Sequence, residues 1–382
     1  MNILSADFTR DPYPFYAQWR ARQAVVAVSP GAIRAVARAA EVDNVLSAPQ
    51  LFSAESSHSM NRPWLEADPF ANGPAAVDPM TRLASRRMFA KAGQESADAA
   101  LAKLAQVRAG ALAAELETQS RDFVAGFAKP LASAVLAAQL GAPRLAPQLE
   151  SWAEALSSGP FAPETQAREF QRRFKDIEAD LSELIAARRR TPAADLVSRL
   201  IAGAGEDDGA VLALLGLWLL AGFETSVQLL VAVALCWTRH AEAFKAARGD
   251  QGSLSPLIEE SLRLEPPVHA VARTATQDVR LGDAVIPEGS LVLAFIASAN
   301  RDERRHIEPD RFDPQRGHRA NRAFGFGPQA CLGAGLARLV GEAALRALTQ
   351  RFQRLEIAGA LPEWRWTLSL RTLPSLHVAG VR

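Results

Sequence analysis

Phe324-Gly325-Phe326-Gly327-Pro328-Gln329-Ala330-Cys331-Leu332-Gly333 puts a cysteine at the end of a glycine-rich loop. Leu332, Leu336, Leu339, Val340, Leu345 and Leu348 follow at mostly helical spacing, which places Cys331 at a helix N-terminus. Free amide N–H groups and the positive end of the helix dipole favour an anion there, so the thiol is expected to ionise readily. Gly325, Gly327 and Gly333 remove side chains beside it and permit positive φ, as expected where backbone lies close to a large flat ligand.

Three readings of a lone thiolate compete. Zinc needs several Cys or His at short spacing, yet Cys236 is the only other cysteine and no histidine lies within a few residues of Cys331. A nucleophile would suit Gln329-Ala330-Cys331-Leu332-Gly333, which nearly matches the caspase signature. Leu332 breaks that signature, and neither His269 nor His306 stands at the required upstream distance. A dinucleotide loop of the form GxGxxG fails because Ala330 takes its last glycine position. The third reading is an axial ligand to haem iron.

Phe324, Gly327, Cys331 and Gly333 fit the signature FxxGx[HR]xCxG of the cytochrome P450 family, and Leu336-Ala337-Arg338 resembles its usual continuation. The resemblance implies that Cys331 holds the iron of haem b (heme b, iron protoporphyrin IX), with Phe324, Gly325, Gln329 and Gly333 around the cofactor. Gln329 departs from the pattern. The family usually carries His or Arg at that place to bond a haem propionate.

The composition narrows the partners. Of 382 residues 48% are apolar, enough for a large core, and 43 Lys+Arg against 42 Asp+Glu leave a formal net charge of +1. That balance gives no global reason to expect nucleic acid or an anionic membrane as partner. Two distant cysteines argue against a disulfide framework. Asp7, Arg10 and Asp11 interrupt the apolar residues of the start, so neither signal peptide nor anchor is expected and the location reads as cytoplasmic. No internal repeat or Pro/Gly linker divides residues 1–382, which therefore read as one mainly helical domain with small β-sheets.

Along the chain, Ala24 to Ser29 reads as a strand and Ala32 to Leu46 as a helix. Phe52 to Val77 reads as a long irregular loop, which in the resembled family caps the substrate pocket. Asp78-Pro79 opens a helix with Arg82 and Arg86 four apart on one face, next to Arg87; a solvated basic face is the bland reading. The resemblance implies that Arg82 and Arg86 hold haem propionates, Arg82 standing where many bacterial members have His. Ala99 to Leu140, Ala142 to Ser157 and Glu164 to Arg190 read as helices, as does the shorter Asp195 to Ile201.

Gly209 to Phe223 has no polar side chain beyond the Trp218 indole, is shorter than the ~20 residues of a membrane span, and continues as apolar helix from Val227 to Trp237. Glu224, Thr225 and Ser226 interrupt it, and burying such groups unpaired costs roughly 2–7 kcal/mol each. Hydroxyls bonding back to the preceding turn are the structural reading. Ala221-Gly222-Phe223-Glu224-Thr225-Ser226 resembles the family motif AGx[DE]T[TS]. There the glycine makes room for dioxygen, and the acid and alcohol deliver protons. The resemblance implies that Ala221 and Gly222 touch the cofactor and that Leu217 and Leu220 line the substrate pocket.

Leu257 to Leu264 reads as a helix with Glu260 and Arg263 three apart, ended by Pro266-Pro267 as the ExxR helix of the family ends. Arg311 resembles the second arginine of its buried ion cluster. Val268 to Ala275 is extended in character, and Val279 to Val285 with Ser290 to Ala297 reads as a hairpin around Pro287-Glu288-Gly289. Arg273 matches a further propionate contact; His269 and Val271 share its parity and are expected to point into the pocket. Trp364 to Leu370 alternates as a strand, with Leu368 near the last substrate-contacting turn of the family.

The resemblance implies a haem-thiolate monooxygenase with the P450 fold, its haem held between the long central helix and the cysteine-loop helix. Such an enzyme activates O2 to hydroxylate or epoxidise a small, largely apolar molecule, with natural-product biosynthesis as one setting. Oxidative coupling or desaturation and a non-catalytic haem sensor are the alternatives. Electrons are expected from a ferredoxin and its NAD(P)H-linked ferredoxin reductase, docking where Arg86, Arg87, Arg319, Arg322 and Arg338 would gather on the Cys331 side.

Overall fold

The most apolar run of the sequence forms the longest helix of the computed structural model, Asp208–Arg239, whose 32 residues span about 48 Å. Asp207 caps its start, its carboxylate accepting the Ala210 N–H at 2.8 Å. Every residue from Ser226 to Trp237 is buried. The helix is long and apolar enough to cross a membrane, but 72% of its most apolar window is covered by the rest of the protein, which makes it a core helix. The structure describes residues 2–29, 33–54, 79–117, 121–158, 167–245, 254–317, 319–360 and 363–382.

Around the central helix lie the helices Pro79–Ser96, Ala99–Glu117, Lys129–Gln139, Ala146–Ser158, Ala167–Arg190, Leu196–Ala204, Leu254–Leu264 and Ala334–Arg351. Their apolar faces merge into one core that includes Leu112, Leu131, Trp152, Ile177, Leu215, Leu257 and Leu345. Each such side chain contributes roughly 1.5–3 kcal/mol when fully buried. Beside this helical core stands a five-stranded sheet in the order Val25–Val28, Ile33–Val36, Leu291–Ala294, Val271–Ala275, Phe52–Ser53. The second and third strands run parallel and the other neighbours antiparallel.

The observed elements depart from the local pattern in four places. The stretch expected as a helix from Ala32 instead gives the strand Ile33–Val36 before the helix Ala39–Ser47. Pairing on both edges, with Val25–Val28 and Leu291–Ala294, outweighs the helix preference of its alanines. The expected helix from Ala99 to Leu140 is broken by the short strand Arg121–Asp122, which pairs with His377–Val381, and by the π-helix Val124–Ala128. The Asp122 carboxylate accepts the N–H groups of Val124 and Leu376, both at 2.9 Å, and so stabilises the break.

The third place is the hairpin after residue 278, which joins Val279–Leu281 to Ala284–Ile286 and turns at Gly282 (φ +62°), not at Gly289. Leu291–Ala294 pairs instead with Val271–Ala275. The fourth is the expected strand Trp364 to Leu370, which is a tight hairpin of Arg365–Trp366 and Arg371–Thr372, with Leu368 in its turn. The loop expected over Phe52 to Val77 lies outside the described residues beyond Ala54.

Candidate active site

The cysteine loop is closed by its own backbone. Cys331 N–H donates to the Phe324 carbonyl at 2.8 Å, and Gly325 N–H to the Arg322 carbonyl at 2.8 Å. Gly325 (φ +74°) and Gly327 (φ +73°) take the left-handed conformation that glycine alone adopts without strain. A Cβ on Gly327 would stand 2.8 Å from the Leu46 carbonyl oxygen, so the loop packs against the helix Ala39–Ser47. Gly333 differs from its expectation: its φ is −86°, and it serves as N-cap of Ala334–Arg351. Its missing side chain would lie 3.9 Å from the Cys331 sulfur.

The Cys331 sulfur is open to solvent on one side and walled in by protein on the others. Burial pushes the thiol above its ordinary range, against the pull of the Gly333 and Ala334 N–H groups and the Arg86 and Arg338 charges. The expectation of ready ionisation is therefore corrected. The helix N-terminus does address the sulfur, but desolvation outweighs it. A coordinating metal would remove the thiol proton outright, so a raised thiol is compatible with metal ligation here.

Two guanidiniums stand beside this loop. Arg86, on the helix Pro79–Ser96, donates from Nη2 to the Ala330 carbonyl at 2.7 Å. Arg273, on the strand Val271–Ala275, is 6% exposed and donates from Nη1 to the Ala272 carbonyl at 2.7 Å. Neither forms an ion pair among the described residues. Burial and then the neighbouring Arg86 charge push Arg273 down to about 10; burial lowers Arg86 too, while Cys331 pulls it back up. Uncompensated buried charge is expensive, so the pair forms a cradle for anionic groups, and it fits the two carboxylates of haem b. Gln329 is half-buried in the 3-10 turn Gly327–Gln329. Arg82 lies in the helix Pro79–Ser96, and its side chain lies outside the described residues.

The central helix is covered except along one stripe. Leu217 (39%), Leu220 (41%) and Ala221 are exposed, and Glu224 and Thr225 are half-buried, recurring every three or four residues along one face. Thr225 Oγ1 donates to the Ala221 carbonyl at 2.6 Å, the back-bond of the structural reading. A Cβ at Gly222 would meet Leu136 Cδ2 at 3.6 Å, so the space this glycine leaves lies toward the helix Lys129–Gln139. Glu224 accepts a hydrogen bond from Gln228 at 3.0 Å. Burial raises its carboxyl above the ordinary range, opposed by the Gln228 bond and the Lys129 charge.

Behind the cysteine helix, Arg263 grips Glu260 with Nε at 2.7 Å and Nη2 at 2.8 Å, both residues nearly fully buried. The same guanidinium donates to the carbonyls of Asn300, Pro309 and Arg311. The second arginine is Arg316, whose Nε lies 3.6 Å from Glu260. Arg311 had been expected there. It offers its carbonyl to Arg263, while its guanidinium pairs with exposed Glu308. A 3-10 turn over Pro314–Arg316, entered through Asp313 whose N–H donates to Glu260 at 2.8 Å, brings the later arginine beside that carboxylate.

Two other expectations change. His269 is 1% exposed, bonded through Nδ1 to the Tyr16 hydroxyl at 2.9 Å and surrounded by Tyr13, Tyr16 and Trp366, so it is a core histidine and not a pocket residue. Val271 packs on the sheet core that includes Val292 and Ala294, and Leu368 on the one that includes Phe8 and Trp19. Of the five arginines expected on the docking face, Arg322 is buried against Asp43 at 2.7 and 2.9 Å. Arg338 pairs with Glu259 at 2.6 Å and covers the Phe324 ring. Arg86 is turned to the cysteine loop, which leaves Arg87 and Arg319 as the exposed members.

Sequence reasoning missed Arg316, Asp43 and Gln228. Only Gln228 carried a local signal, its position four residues after Glu224 on the same helix face.

The model of the family described as Cytochrome P450 matches residues 253–363. Cytochrome P450 107B1 of Saccharopolyspora erythraea is 37% identical over 67% of this chain, which spans 64% of that protein. Cyclomarin C epoxidase CymV of Salinispora arenicola is 34% identical over 80% of this chain and 79% of its own length. The solved structure of cytochrome P450 CYP109Q5 from Chondromyces apiculatus superposes with a TM-score of 0.89 at 30% identity, covering 100% of this chain and 98% of that one. With the cysteine loop, its arginine cradle and the central-helix acid and alcohol in the same chain order as the family signatures, the protein belongs to the cytochrome P450 family and is a haem b monooxygenase.

Proposed function

We propose that this enzyme hydroxylates or epoxidises a small, largely apolar molecule held against the exposed stripe Leu217, Leu220 and Ala221. That stripe carries the reading, because it is the part of an otherwise covered apolar helix left free to meet a ligand, and it leads directly to Glu224 and Thr225. Haem b, when bound, supplies the activation of dioxygen. Cys331 would hold it as thiolate, with Phe324, Gly325 and Gly333 beside the sulfur, and Arg86 and Arg273 would take its carboxylates, helped by Arg82 and Gln329. Glu224, whose carboxyl burial raises above its ordinary range, would serve as proton donor, with Thr225 as the hydroxyl next to it on the exposed stripe.

Residues 1–382 act as one domain: elements from Ala92 to Val378 feed one core, and the N-terminal strands share a sheet with Val271–Ala275 and Leu291–Ala294. The protein works in the cytoplasm with its apolar helix buried. A ferredoxin and its reductase deliver electrons, with Arg87 and Arg319 among the groups that meet an acidic partner. Relatives named as an epoxidase and as hydroxylases support oxygen insertion.

The test is a screen of apolar molecules for spectral shifts of the ferric protein, followed by turnover under labelled dioxygen. Products carrying one labelled oxygen atom are expected. Oxidised products without label would favour coupling or desaturation, and ligands that shift the spectrum but are never oxidised would favour a sensor.

A further inference from the structure

The Gln228 side chain is 4% exposed, and its hydrogen bonds run in two directions. Its Oε1 accepts the Leu373 N–H at 2.9 Å, and its Nε2 donates to the Leu373 carbonyl at 3.0 Å. This two-point pairing with one backbone unit settles which way the amide faces, since an N–H donor needs the oxygen and a carbonyl needs the nitrogen. The second N–H of Nε2 is left pointing at Glu224 Oε1, 3.0 Å away. Leu373 directly follows the hairpin Arg365–Trp366 and Arg371–Thr372, whose turn carries Leu368.

From this geometry we infer that Gln228 is a positioning residue that reserves Glu224 Oε1 as a hydrogen-bond acceptor, so that Oε2 carries the relayed proton, and that it ties this arrangement to the C-terminal hairpin. The inference rests on the reading of Glu224 as proton donor. An oxygen accepting an N–H at 3.0 Å has that lone pair occupied, so the acidic proton resides on the other oxygen. Only that oxygen both receives a proton from solvent and passes one inward, and the carboxyl returns to its starting state. Fixing the carboxyl also matters because a misplacement of about 1 Å can lower a rate roughly 100-fold. A ligand that shifts the hairpin pulls on Leu373, and through Gln228 on the acid.

The charged groups acting on Glu224 come from three further elements. Lys129 starts the helix Lys129–Gln139, Glu150 pairs with it from the helix Ala146–Ser158, and Arg365 belongs to the same C-terminal hairpin. Gln228 is the one neutral group among them, and among the described residues it is the one hydrogen-bonded to the carboxylate. Its N–H stabilises the ionised form, so removing it moves the Glu224 carboxyl further upward.

The experiment compares the haem-loaded wild type with Gln228→Met and Glu224→Gln, reading the pH profile of kcat and the hydrogen exchange of the Leu373 amide. In wild type kcat falls on the alkaline side as Glu224 loses its proton. Gln228→Met is expected to lower kcat by roughly 10- to 100-fold, to move that limb to higher pH, and to speed exchange at Leu373. Glu224→Gln is expected to abolish the limb while Leu373 stays protected. Faster Leu373 exchange with an unmoved limb in Gln228→Met would overturn the inference, leaving Gln228 a structural clamp. A limb that persists in Glu224→Gln would instead refute the proton-donor reading itself. If Gln228→Met does not fold, Gln228→Glu keeps an acceptor for Leu373 N–H and places a like charge beside Glu224; an unmoved limb there overturns the inference equally.

Discussion

Arg86 donates to the carbonyl of Ala330, the residue before Cys331, across 2.7 Å, and so joins the helix Pro79–Ser96 to the cysteine loop. One guanidinium thereby both shapes the loop and lends its charge to whatever anion lies above it. Arg86→Ala should release haem to apomyoglobin roughly tenfold faster or more, the loss expected for a charge-assisted bond. Gln329→Ala, which removes no charge, should change the rate less. The reverse ranking would assign the propionate contact to Gln329.

Arg273 is expected to act with opposite signs in the two forms of the protein. Without haem its buried charge stands beside that of Arg86 and has no acidic partner among the described residues, so Arg273→Leu should raise the Tm of the apo-protein. With haem the same substitution removes a propionate partner and should lower Tm. Equal shifts in both forms would count against the cradle.

Thr225 is engaged with the Ala221 carbonyl and therefore free to accept but not to donate until that bond opens. Thr225→Ala should keep consuming NAD(P)H while diverting it to peroxide. Product formed per reductant, measured against wild type, checks this; an equal ratio would remove Thr225 from the relay.

The Glu260 cluster separates two arginines that look alike in sequence. Arg263→Met leaves Glu260 buried without its bidentate partner and should cost about 3–5 kcal/mol. Arg311→Ala, an exposed pair with Glu308, should stay within about 1 kcal/mol. Urea titration of the haem-loaded protein decides between them, and a large loss for Arg311→Ala would contradict the placement of Arg316 against Glu260.

Asp43 predicts an acid-sensitive joint. Burial works to raise its carboxyl, but hydrogen bonds from Arg322 and Arg305 outweigh burial and hold it below the ordinary range. A lowered carboxyl contributes stability that is complete above its unfolded value and is lost as pH falls through the folded one. Asp43→Asn should therefore destabilise the protein at neutral pH and flatten the acid side of its Tm profile. A parallel displacement of the whole profile would mean that Asp43 is already neutral.

The cysteine loop, the apolar central helix with its polar interruption and the ExxR helix were legible in the sequence because each is decided within about ten residues. Glycine freedom at Gly325 and Gly327, helical periodicity and the spacing of Glu260 and Arg263 are local facts, and the folded chain keeps them. Tertiary structure decided what depends on a distant partner. Residues 33–36 pair on both edges and become a strand, the 3-10 turn Pro314–Arg316 sets Arg316 and not Arg311 beside Glu260, and Tyr16 draws His269 into the core. Cys331 shows the same division most clearly: its place before a helix is written in the order of residues, but its proton affinity is governed by the desolvation that only the surrounding fold imposes.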